Sequence, residues 1–152
     1  MKTVITYGTF DLLHVGHVNM LERLAELGDK LIVGVSTDEF NLLKGKHSVY
    51  SYAERAKIVS ALRCVDQVIA EHDWQQKKED IERYEIDIFG IGADWQGKFD
   101  ELSANCEVVY LLRTPSISTT DLKKALSKID GATIQQIKNG LDSVLDLVKA
   151  IE

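Results

Sequence analysis

The sequence predicts an α/β domain in which helices flank a parallel sheet. Short runs rich in valine and isoleucine alternate with segments whose apolar residues recur every three or four positions, a pattern typical of alternating strands and helices. The strand-like runs are apolar on both faces, as strands buried within a parallel sheet are. The 152 residues, of which 45% are hydrophobic, suffice for one substantial core.

The predicted elements follow one another in a regular order. Five strands are expected at residues 2–7, 30–36, 67–70, 86–91 and 107–112. Four helices are expected at residues 15–27, 52–62, 75–84 and 120–129. Gly28 suits the end of the first helix, and Ser51 suits the start of the second. That second helix is expected to present Arg55 and Arg63 on nearly the same face, because they are eight residues apart.

Two further segments stand outside this alternation. Residues 37–50 form a long polar connection, and connections of this length are often functional. From Gly131 onward, apolar residues recur at alternating spacings of three and four, which predicts an additional C-terminal amphipathic helix. We therefore divide the chain into a domain at 1–130 and a helix at 131–152. The helix packs either on its own domain or on a second subunit, and both interpretations stay open.

Composition excludes several classes of protein. The formal net charge of −6 argues against a broad nucleic-acid interface, which normally needs net positive charge. We expect no membrane insertion and a cytoplasmic location, because no apolar run reaches membrane-spanning length and the chain opens directly on a strand. Cys64 and Cys106 lack metal-site or redox spacing, so we expect both to be reduced, buried and inert.

The turn after the first strand is the most informative motif. Residues 8–17 read Gly-Thr-Phe-Asp-Leu-Leu-His-Val-Gly-His and lead straight into a helix. His14 and His17 offer ring nitrogens, Gly16 allows close backbone approach, and the free N–H groups of a helix start attract anions. Because ligands bind at the carboxyl ends of parallel strands, this turn predicts a polyphosphate site. Two histidines bonded only to neighbouring backbone groups are the alternative.

Asp11 lies inside the same turn and has two open interpretations. It is either a cap or turn residue, or a direct contact to a ligand. A zinc site is disfavoured because no cysteine or third histidine lies at ligand spacing from His14 and His17. We therefore predict no metal-ligating residue in this protein.

A second anion-binding turn is predicted at residues 113–120, which read Arg-Thr-Pro-Ser-Ile-Ser-Thr-Thr. Ser118 or Thr119 suits a helix cap, the start of the helix favours an anion, and Arg113 adds a planar fork of donors. An ordinary capping box without a ligand is the alternative.

Other candidate contacts lie in the middle of the chain. Residues 92–98, Gly-Ala-Asp-Trp-Gln-Gly-Lys, suit either the wall of a base or sugar pocket or a surface turn with a packed tryptophan. Basic side chains could bind further phosphate groups, although most surface lysines and arginines are merely solvated. These basic residues are Lys44, Lys46, Arg55, Arg63, Lys77 and Lys78.

With these motifs the chain resembles the cytidylyltransferase branch of the HxGH nucleotidyltransferase superfamily, and within it the members that act on glycerol 3-phosphate. The resemblance covers about residues 1–130. It rests on His-Val-Gly-His and on Ile-Ser-Thr-Thr at 117–120. Supporting matches are residues 36–41, Tyr52 with Arg55, Trp74 with residues 76–78, and residues 94–100. The chain departs from the family pattern at Ala93, Pro115 and Ser116.

The resemblance implies a Rossmann-like domain that makes CDP-glycerol and pyrophosphate from CTP and sn-glycerol 3-phosphate. It also implies Mg²⁺ bound with CTP, a homodimer, and a product used for teichoic acid or capsular polymer synthesis. The implied CTP-binding residues are Thr9, Phe10, His14, Gly16, His17, Lys46, Arg63, Gly92, Asp94, Arg113, Thr114, Ile117, Ser118, Thr119 and Thr120. The implied glycerol-phosphate residues are Lys44, Lys77 and Arg55, and Asp11 is a further candidate from its place in the first turn. His14, His17, Lys46 and Arg113 are the implied catalytic residues.

The chemistry of this transfer needs no general base, because a phosphate monoester has a second pKa of about 6 and is already largely dianionic at neutral pH. The site must instead align two repelling anions and stabilise the charge that develops on the α-phosphate and on pyrophosphate. We expect a bound triphosphate to favour the imidazolium forms of His14 and His17. The alternatives are an enzyme for ethanolamine, choline or ribitol phosphate, and a nucleotide-binding regulator without turnover.

Overall fold

The computed structural model describes residues 1–115, 118–127 and 131–151. Within this part, five strands form one parallel sheet in the order β3-β2-β1-β4-β5, which confirms the predicted α/β class. The strands are β1 (Thr3–Gly8), β2 (Lys30–Ser36), β3 (Gln67–Glu71), β4 (Ile88–Gly92) and β5 (Glu107–Leu111). The order reverses direction on either side of β1, and ligands of open α/β sheets bind at such a switch point.

All five predicted helices are present with slightly different ends, and the described residues contain one further α-helix. They are α1 (Val15–Ala25), α2 (Asp38–Leu43), α3 (Tyr52–Ser60), α4 (Gln76–Arg83), α5 (Thr119–Ser127) and α6 (Gly131–Ile151). Helix α2 was not predicted and lies inside the long polar connection. Thr37 caps it, because the Thr37 hydroxyl accepts a hydrogen bond from the Phe40 N–H at 3.1 Å.

Both faces of the sheet are buried, which explains why its strands are apolar on both sides. Alternating residues of β1 enter different clusters. Val4 packs with Leu21 and Leu24 of α1, whereas Ile5 packs with Ile81 of α4 and with Phe89. The sheet is therefore a rigid platform whose carboxyl edge carries the turns described below.

The chain divides into two compact units, Met1–Thr119 and Thr120–Glu152. The first contains the sheet with α1 to α4, and the second contains α6 and all but the first residue of α5. The predicted helix from residue 131 is confirmed. None of the helices within the described ranges is long and apolar enough to cross a bilayer.

The two cysteines are free thiols, as predicted, but Cys64 and Cys106 are half-buried where full burial was expected. Desolvation raises the pKa of each thiol above its usual value. A raised pKa lowers the thiolate fraction, which agrees with the expected low reactivity.

Candidate active site

The turn between β1 and α1 has an unusual backbone. Phe10 and Leu12 both adopt the left-handed conformation, with φ values of 52° and 49°. The buried Phe10 ring packs edge-on against the His17 ring at 5.6 Å between centroids. A Cβ atom on Gly8 would lie 2.9 Å from the Phe10 ring, so this close packing requires glycine at position 8. The Phe10 ring of this turn thus restricts the position of the His17 ring.

His14 and His17 cap helix α1 with their own rings. The Nδ1 atom of His14 accepts a hydrogen bond from the Gly16 N–H at 3.0 Å, and Nδ1 of His17 accepts one from the His14 N–H at 3.2 Å. The pair forms a capping box in which imidazoles replace the usual hydroxyl and carboxylate. The two rings stack at 3.9 Å. Since each Nδ1 accepts, each neutral ring carries its proton on Nε2, which is left as a donor.

The surroundings of the two rings favour their neutral forms in the ligand-free protein. Burial, with a smaller contribution from His14, lowers the pKa of His17 to about 4, although Asp11 opposes the shift. Burial and the nearby charge of Arg113 lower the pKa of His14. The ligand-free protein therefore favours the neutral rings, and the imidazolium forms expected with a bound triphosphate stay a prediction. A proton on either Nδ1 would also break a capping hydrogen bond.

The low pKa of His17 predicts a pH-dependent stability. In the unfolded chain His17 has the ordinary histidine pKa of 6.5, and in the folded protein its pKa is about 4, so the unfolded chain binds more protons between these values. The free energy of unfolding should therefore decrease as pH falls from 6.5 towards 4. His17→Gln retains a capping acceptor but does not titrate. Urea denaturation should show a shallower decrease for this variant, and equal slopes would contradict the assignment.

The two predicted anion-binding turns meet in the structure. The Thr119 hydroxyl donates to the Asp11 carbonyl oxygen at 3.0 Å and lies 3.5 Å from Nε2 of His17. Thr119 is the first residue of α5, so the start of that helix reaches the turn that carries the histidines. A large separation of these turns would have contradicted the predicted shared site. Their contact instead brings both segments to one place at the carboxyl edge of the sheet.

Arg113 lies close to the histidine turn. Its guanidinium forms an exposed ion pair with Asp94 at 3.2 Å, and its charge also lowers the pKa of His14. Asp94 follows Gly92, the last residue of β4, in a single 3-10 turn. The Arg113 and Asp94 side chains are both more than two-thirds exposed, so their ion pair contributes little to stability and leaves both groups accessible to a ligand.

The remaining predicted residues of the second turn are only partly placed. Thr114 and Ser118 are half-buried. Ile117 lies outside the described residues, and Thr120 begins the second compact unit. Their roles in nucleotide binding stay predictions.

Asp11 holds the long connection against the first turn. Its carboxylate accepts hydrogen bonds from the N–H groups of Val49 and Tyr50, at 2.7 and 3.0 Å. The Asp11 side chain is buried, with 3% of the residue exposed. Of the two interpretations left open by the sequence, these contacts favour the structural one, and the predicted contact of Asp11 with glycerol phosphate does not fit this geometry.

Arg55 has a similar positioning role. Its side chain is fully buried and donates to the carbonyl oxygens of Thr9 and Tyr50, at 2.7 and 3.0 Å, and to Asp38 at 2.9 Å. The predicted direct contact of Arg55 with the acceptor is therefore wrong. The Arg55 guanidinium instead joins α3 to the first turn and to the long connection. It is a link between the elements that carry candidate ligand contacts.

The shared helix face predicted for Arg55 and Arg63 is also wrong. Helix α3 ends at Ser60, so Arg63 lies beyond it in the turn before β3. Arg63 is exposed, and Lys46, in the connection after α2, is exposed as well. Exposure leaves both cations accessible to a nucleotide, and their binding roles stay predictions.

Lys44 and Lys77 belong to one hydrogen-bond network that is centred on the Glu71 carboxylate. The Lys77 ammonium pairs with Glu71 at 2.5 Å, and the Ser36 hydroxyl lies 2.7 Å from the same carboxylate. The Lys44 ammonium donates to the Ser36 hydroxyl at 3.0 Å. Both ammonium groups also lie over the Trp74 ring, at 5.7 Å for Lys44 and 5.1 Å for Lys77. The two predicted acceptor-binding lysines therefore share one location.

Sequence reasoning missed Ser36 and Glu71 as site residues. They are register partners at the carboxyl ends of β2 and β3. The Ser36 hydroxyl also lies 3.3 Å from the Gly8 carbonyl oxygen, which links the lysines to the histidine turn. The signal that could have found them is a polar residue that closes an otherwise apolar strand, since such positions lie at the ligand-binding edge. Asn41 was missed too, and its side-chain oxygen accepts from the Thr9 hydroxyl at 3.0 Å.

A parallel sheet whose two predicted anion-binding turns meet at its carboxyl edge, with the ammonium groups of Lys44 and Lys77 at the ends of β2 and β3, has the arrangement of a nucleotidyltransferase domain. The similarity of the sequence to known proteins gives the particular family. The chain belongs to the cytidylyltransferase-like family, whose sequence profile matches residues 5–147.

Several known proteins are similar to this chain over most of its length. A glycerol-3-phosphate cytidylyltransferase of Bacillus subtilis (strain 168) is 57% identical over 127 residues, which cover 84% of this chain and 98% of that protein. The same enzyme of Staphylococcus aureus (strain NCTC 8325 / PS 47) is 53% identical over 126 residues, with coverages of 83% and 96%. An FAD synthase of Pyrococcus abyssi (strain GE5 / Orsay) is 31% identical over 137 residues, covering 83% and 93%.

A solved structure supports the fold. The lipopolysaccharide core biosynthesis protein from Thermoplasma volcanium GSS1 superposes with a TM-score of 0.64 at 30% identity, covering 75% of this chain and 98% of that one.

Proposed function

We propose that this protein transfers the cytidylyl group of CTP to sn-glycerol 3-phosphate and releases CDP-glycerol and pyrophosphate. One observation carries the proposal: Ser36 joins the Lys44, Glu71 and Lys77 network to Gly8, at the start of the turn that ends in His14 and His17. The residues expected to bind the phosphorylated acceptor thus adjoin those expected to bind the polyphosphate. The enzymes named above as relatives support this choice of nucleotide and acceptor.

The proposed step is a direct in-line displacement. A phosphate oxygen of glycerol 3-phosphate attacks the α-phosphorus of CTP, and the bond from that phosphorus to the bridging oxygen of pyrophosphate breaks. The attacking monoester is dianionic at neutral pH, so no proton has to leave before the attack. Lys44 would bind the acceptor phosphate, and Lys77, which is buried and paired with Glu71, would position Lys44 through Glu71 and Ser36. The cytidylyl donor would lie against the start of α1.

His14 and His17 act in this proposal as hydrogen-bond donors through Nε2. Their Nε2–H groups would bind oxygens of the triphosphate, because each Nδ1 is engaged by a backbone N–H. The start of α1 adds the positive end of a helix dipole, and Arg113 adds a full charge near His14. Donors fixed where negative charge develops stabilise the transition state more than the ground state.

Magnesium belongs to the proposal as a partner of CTP. Residues 1–115, 118–127 and 131–151 contain no group of three histidine, cysteine or acidic side chains placed to hold a metal. An ion that arrives with the triphosphate takes most ligands from phosphate oxygens and water, which fits such a site. When bound, it would neutralise part of the charge on the phosphates.

The test of the proposal measures pyrophosphate release with CTP and glycerol 3-phosphate. Parallel reactions replace the acceptor by the phosphates of ethanolamine, choline and ribitol, and replace CTP by UTP or ATP. We expect release with CTP and glycerol 3-phosphate, and loss of activity with UTP, because a site built to accept the cytosine amino group leaves polar atoms unpaired with uracil. Nucleotide binding without turnover on any acceptor would favour the regulator.

A homodimer, a cytoplasmic location and use of the product in teichoic acid or capsular polymer synthesis complete the proposal. All three extend it from the family resemblance. Sedimentation, cell fractionation and analysis of polymers in a deletion strain test them in turn.

Lys44 predicts a distinctive dependence of acceptor use on pH. Burial lowers the pKa of Lys44 to about 8, with opposition from Glu71 and smaller support from Lys46, Lys77 and Arg55. The kcat/KM for glycerol 3-phosphate should therefore fall above pH 8, as the free enzyme loses this charge. Lys44→Arg keeps its charge over the whole range and should lose this fall. The same alkaline fall in both proteins would exclude Lys44 as its source.

A further inference from the structure

Helix α6 carries a continuous apolar stripe that is exposed. The side chains of the stripe are between 51% and 86% exposed, and they are Ile134, Ile137, Leu141, Val144, Val148 and Ile151. Scattered exposed apolar residues are ordinary on protein surfaces, but a contiguous row along one helix usually marks an interaction surface.

The spacing of the stripe indicates what covers it. Its residues follow one another at intervals of three, four, three, four and three, which places them at successive a and d positions of a heptad repeat. The stripe extends for about 26 Å along the helix axis, at a rise of 1.5 Å per residue. Leu145 and Leu147 flank its second half and widen the apolar face. Such regular spacing suits a second helix with the same repeat.

The charged residues of α6 are compatible with pairing between two copies of this helix. Asp142, Asp146 and Lys149 lie on the face opposite the stripe, and Lys138 borders it. Two lysines and two aspartates balance within the helix, so two copies do not repel each other. The helix also lacks the row of basic residues by which surface helices bind anionic membranes.

The length of the chain gives an independent indication. The relatives from Bacillus subtilis and Bacillus spizizenii are covered over 98% and 100% of their own lengths by matches of 127 and 129 residues. About two dozen of the 152 residues therefore have no counterpart in them, close to the 21 residues of α6. The family motifs all lie before residue 121. The family profile extends to residue 147, but these two relatives are matched over nearly their whole length without a segment of this size, which leaves α6 available for a purpose other than the transfer reaction.

We propose that α6 binds α6 of a second copy of this chain, with the two apolar stripes in contact. Covering about half of the exposed surface of these eight apolar side chains on each of two helices would remove roughly 900 Å² of apolar surface from water. With the backbone and the stems of neighbouring polar residues, the buried area passes the floor of about 1,000 Å² for a specific interface. The pairing does not depend on the proposed catalytic function.

The first test compares the association of full-length variants by sedimentation equilibrium. Leu141→Asp with Val144→Asp places two charges in the stripe, and Asn139→Asp with Ser143→Asp places the same charges on the outer face. We expect the stripe variant to associate at least roughly 100-fold more weakly than the wild type, because the charges would be buried without partners. The outer-face variant should associate as the wild type does. Thermal unfolding of the sheet domain checks that both variants are folded.

The second test detects the helix pair directly, whether or not the catalytic units also associate. Val144→Cys should form a disulfide between copies under mild oxidation if the helices are parallel. A mixture of Leu141→Cys and Val144→Cys chains should do so if they are antiparallel, because these two positions then lie opposite each other. Asn139→Cys, on the outer face, should not cross-link.

Two results would overturn the pairing. One is the absence of a cross-link in both registers together with equal association of the stripe variant and the wild type. A decrease in thermal stability of the stripe variant alone would then assign the stripe to its own domain. The other is binding of the wild type, but not of the stripe variant, to phosphatidylserine vesicles without self-association, which would assign the stripe to a membrane surface.

Discussion

His17→Gln is expected to fold normally and to lose roughly two to four orders of magnitude in kcat, the range found when a donor to a developing oxyanion is removed. Glutamine at the third helical position accepts a hydrogen bond from the cap residue, so it replaces the Nδ1 contact of His17 with the His14 N–H. It cannot replace the Nε2–H group in the same place. His14→Asn has the same design, since asparagine is a good helix cap.

These variants separate helix capping from catalysis, which alanine does not. His17→Ala would remove both functions, and its loss of activity could arise from a frayed α1. The measurements are the kcat of pyrophosphate release and the free energy of unfolding of each variant. Near-normal turnover in a well-folded His17→Gln protein would remove the ring from the mechanism.

Arg55→Ala is expected to lower the free energy of unfolding by about 3–5 kcal/mol, because it removes a fully buried side chain and leaves two carbonyl oxygens without their donor. The side chain is fully buried, and its loss leaves the carbonyl oxygens of Thr9 and Tyr50 without their donor. The melting temperature should fall by roughly 10 °C for a chain of this size. Activity should fall as well, because Arg55 connects the first turn to the connection that carries Lys44 and Lys46.

Arg63→Ala is the matched control for this prediction. It removes the same side chain eight residues later, at an exposed position beyond the end of α3. Its stability should stay within about 0.5 kcal/mol of the wild type, while CTP binding weakens if Arg63 contacts the nucleotide as the family resemblance implies. Equal destabilisation by the two substitutions would contradict the buried role of Arg55. Thermal and urea unfolding measure both.

The sequence predicted the architecture well because local patterns determine it. The apolar runs of the five strands depend on burial from both faces, which the alternation of strands and helices already implies. The meeting of the two turns was also predictable, since both follow parallel strands and such strands end at one edge. Thr119 and His17 are the residues that make this contact.

The sequence could not predict which charged residues are buried. From sequence alone, Arg55 and Lys77 are expected to be exposed like most lysines and arginines, yet both are buried against partners that include residues distant in sequence. Lys77 is enclosed by Glu71 and by three aromatic rings. Arg55 depends on the Thr9 carbonyl and on Asp38, which only tertiary structure brings near. Helix α2 was missed because its six residues are too few for a periodic pattern.

The capping role of the two histidines also affects what nucleotide binding costs. A free imidazole rotates about two side-chain bonds, and a ligand that uses it must first restrict that rotation. In this protein the hydrogen bonds from Gly16 and His14 to the ring nitrogens have already imposed the restriction. The entropy of orienting both rings is lost during folding, so an arriving triphosphate meets preorganised donors and keeps more of its interaction energy as affinity.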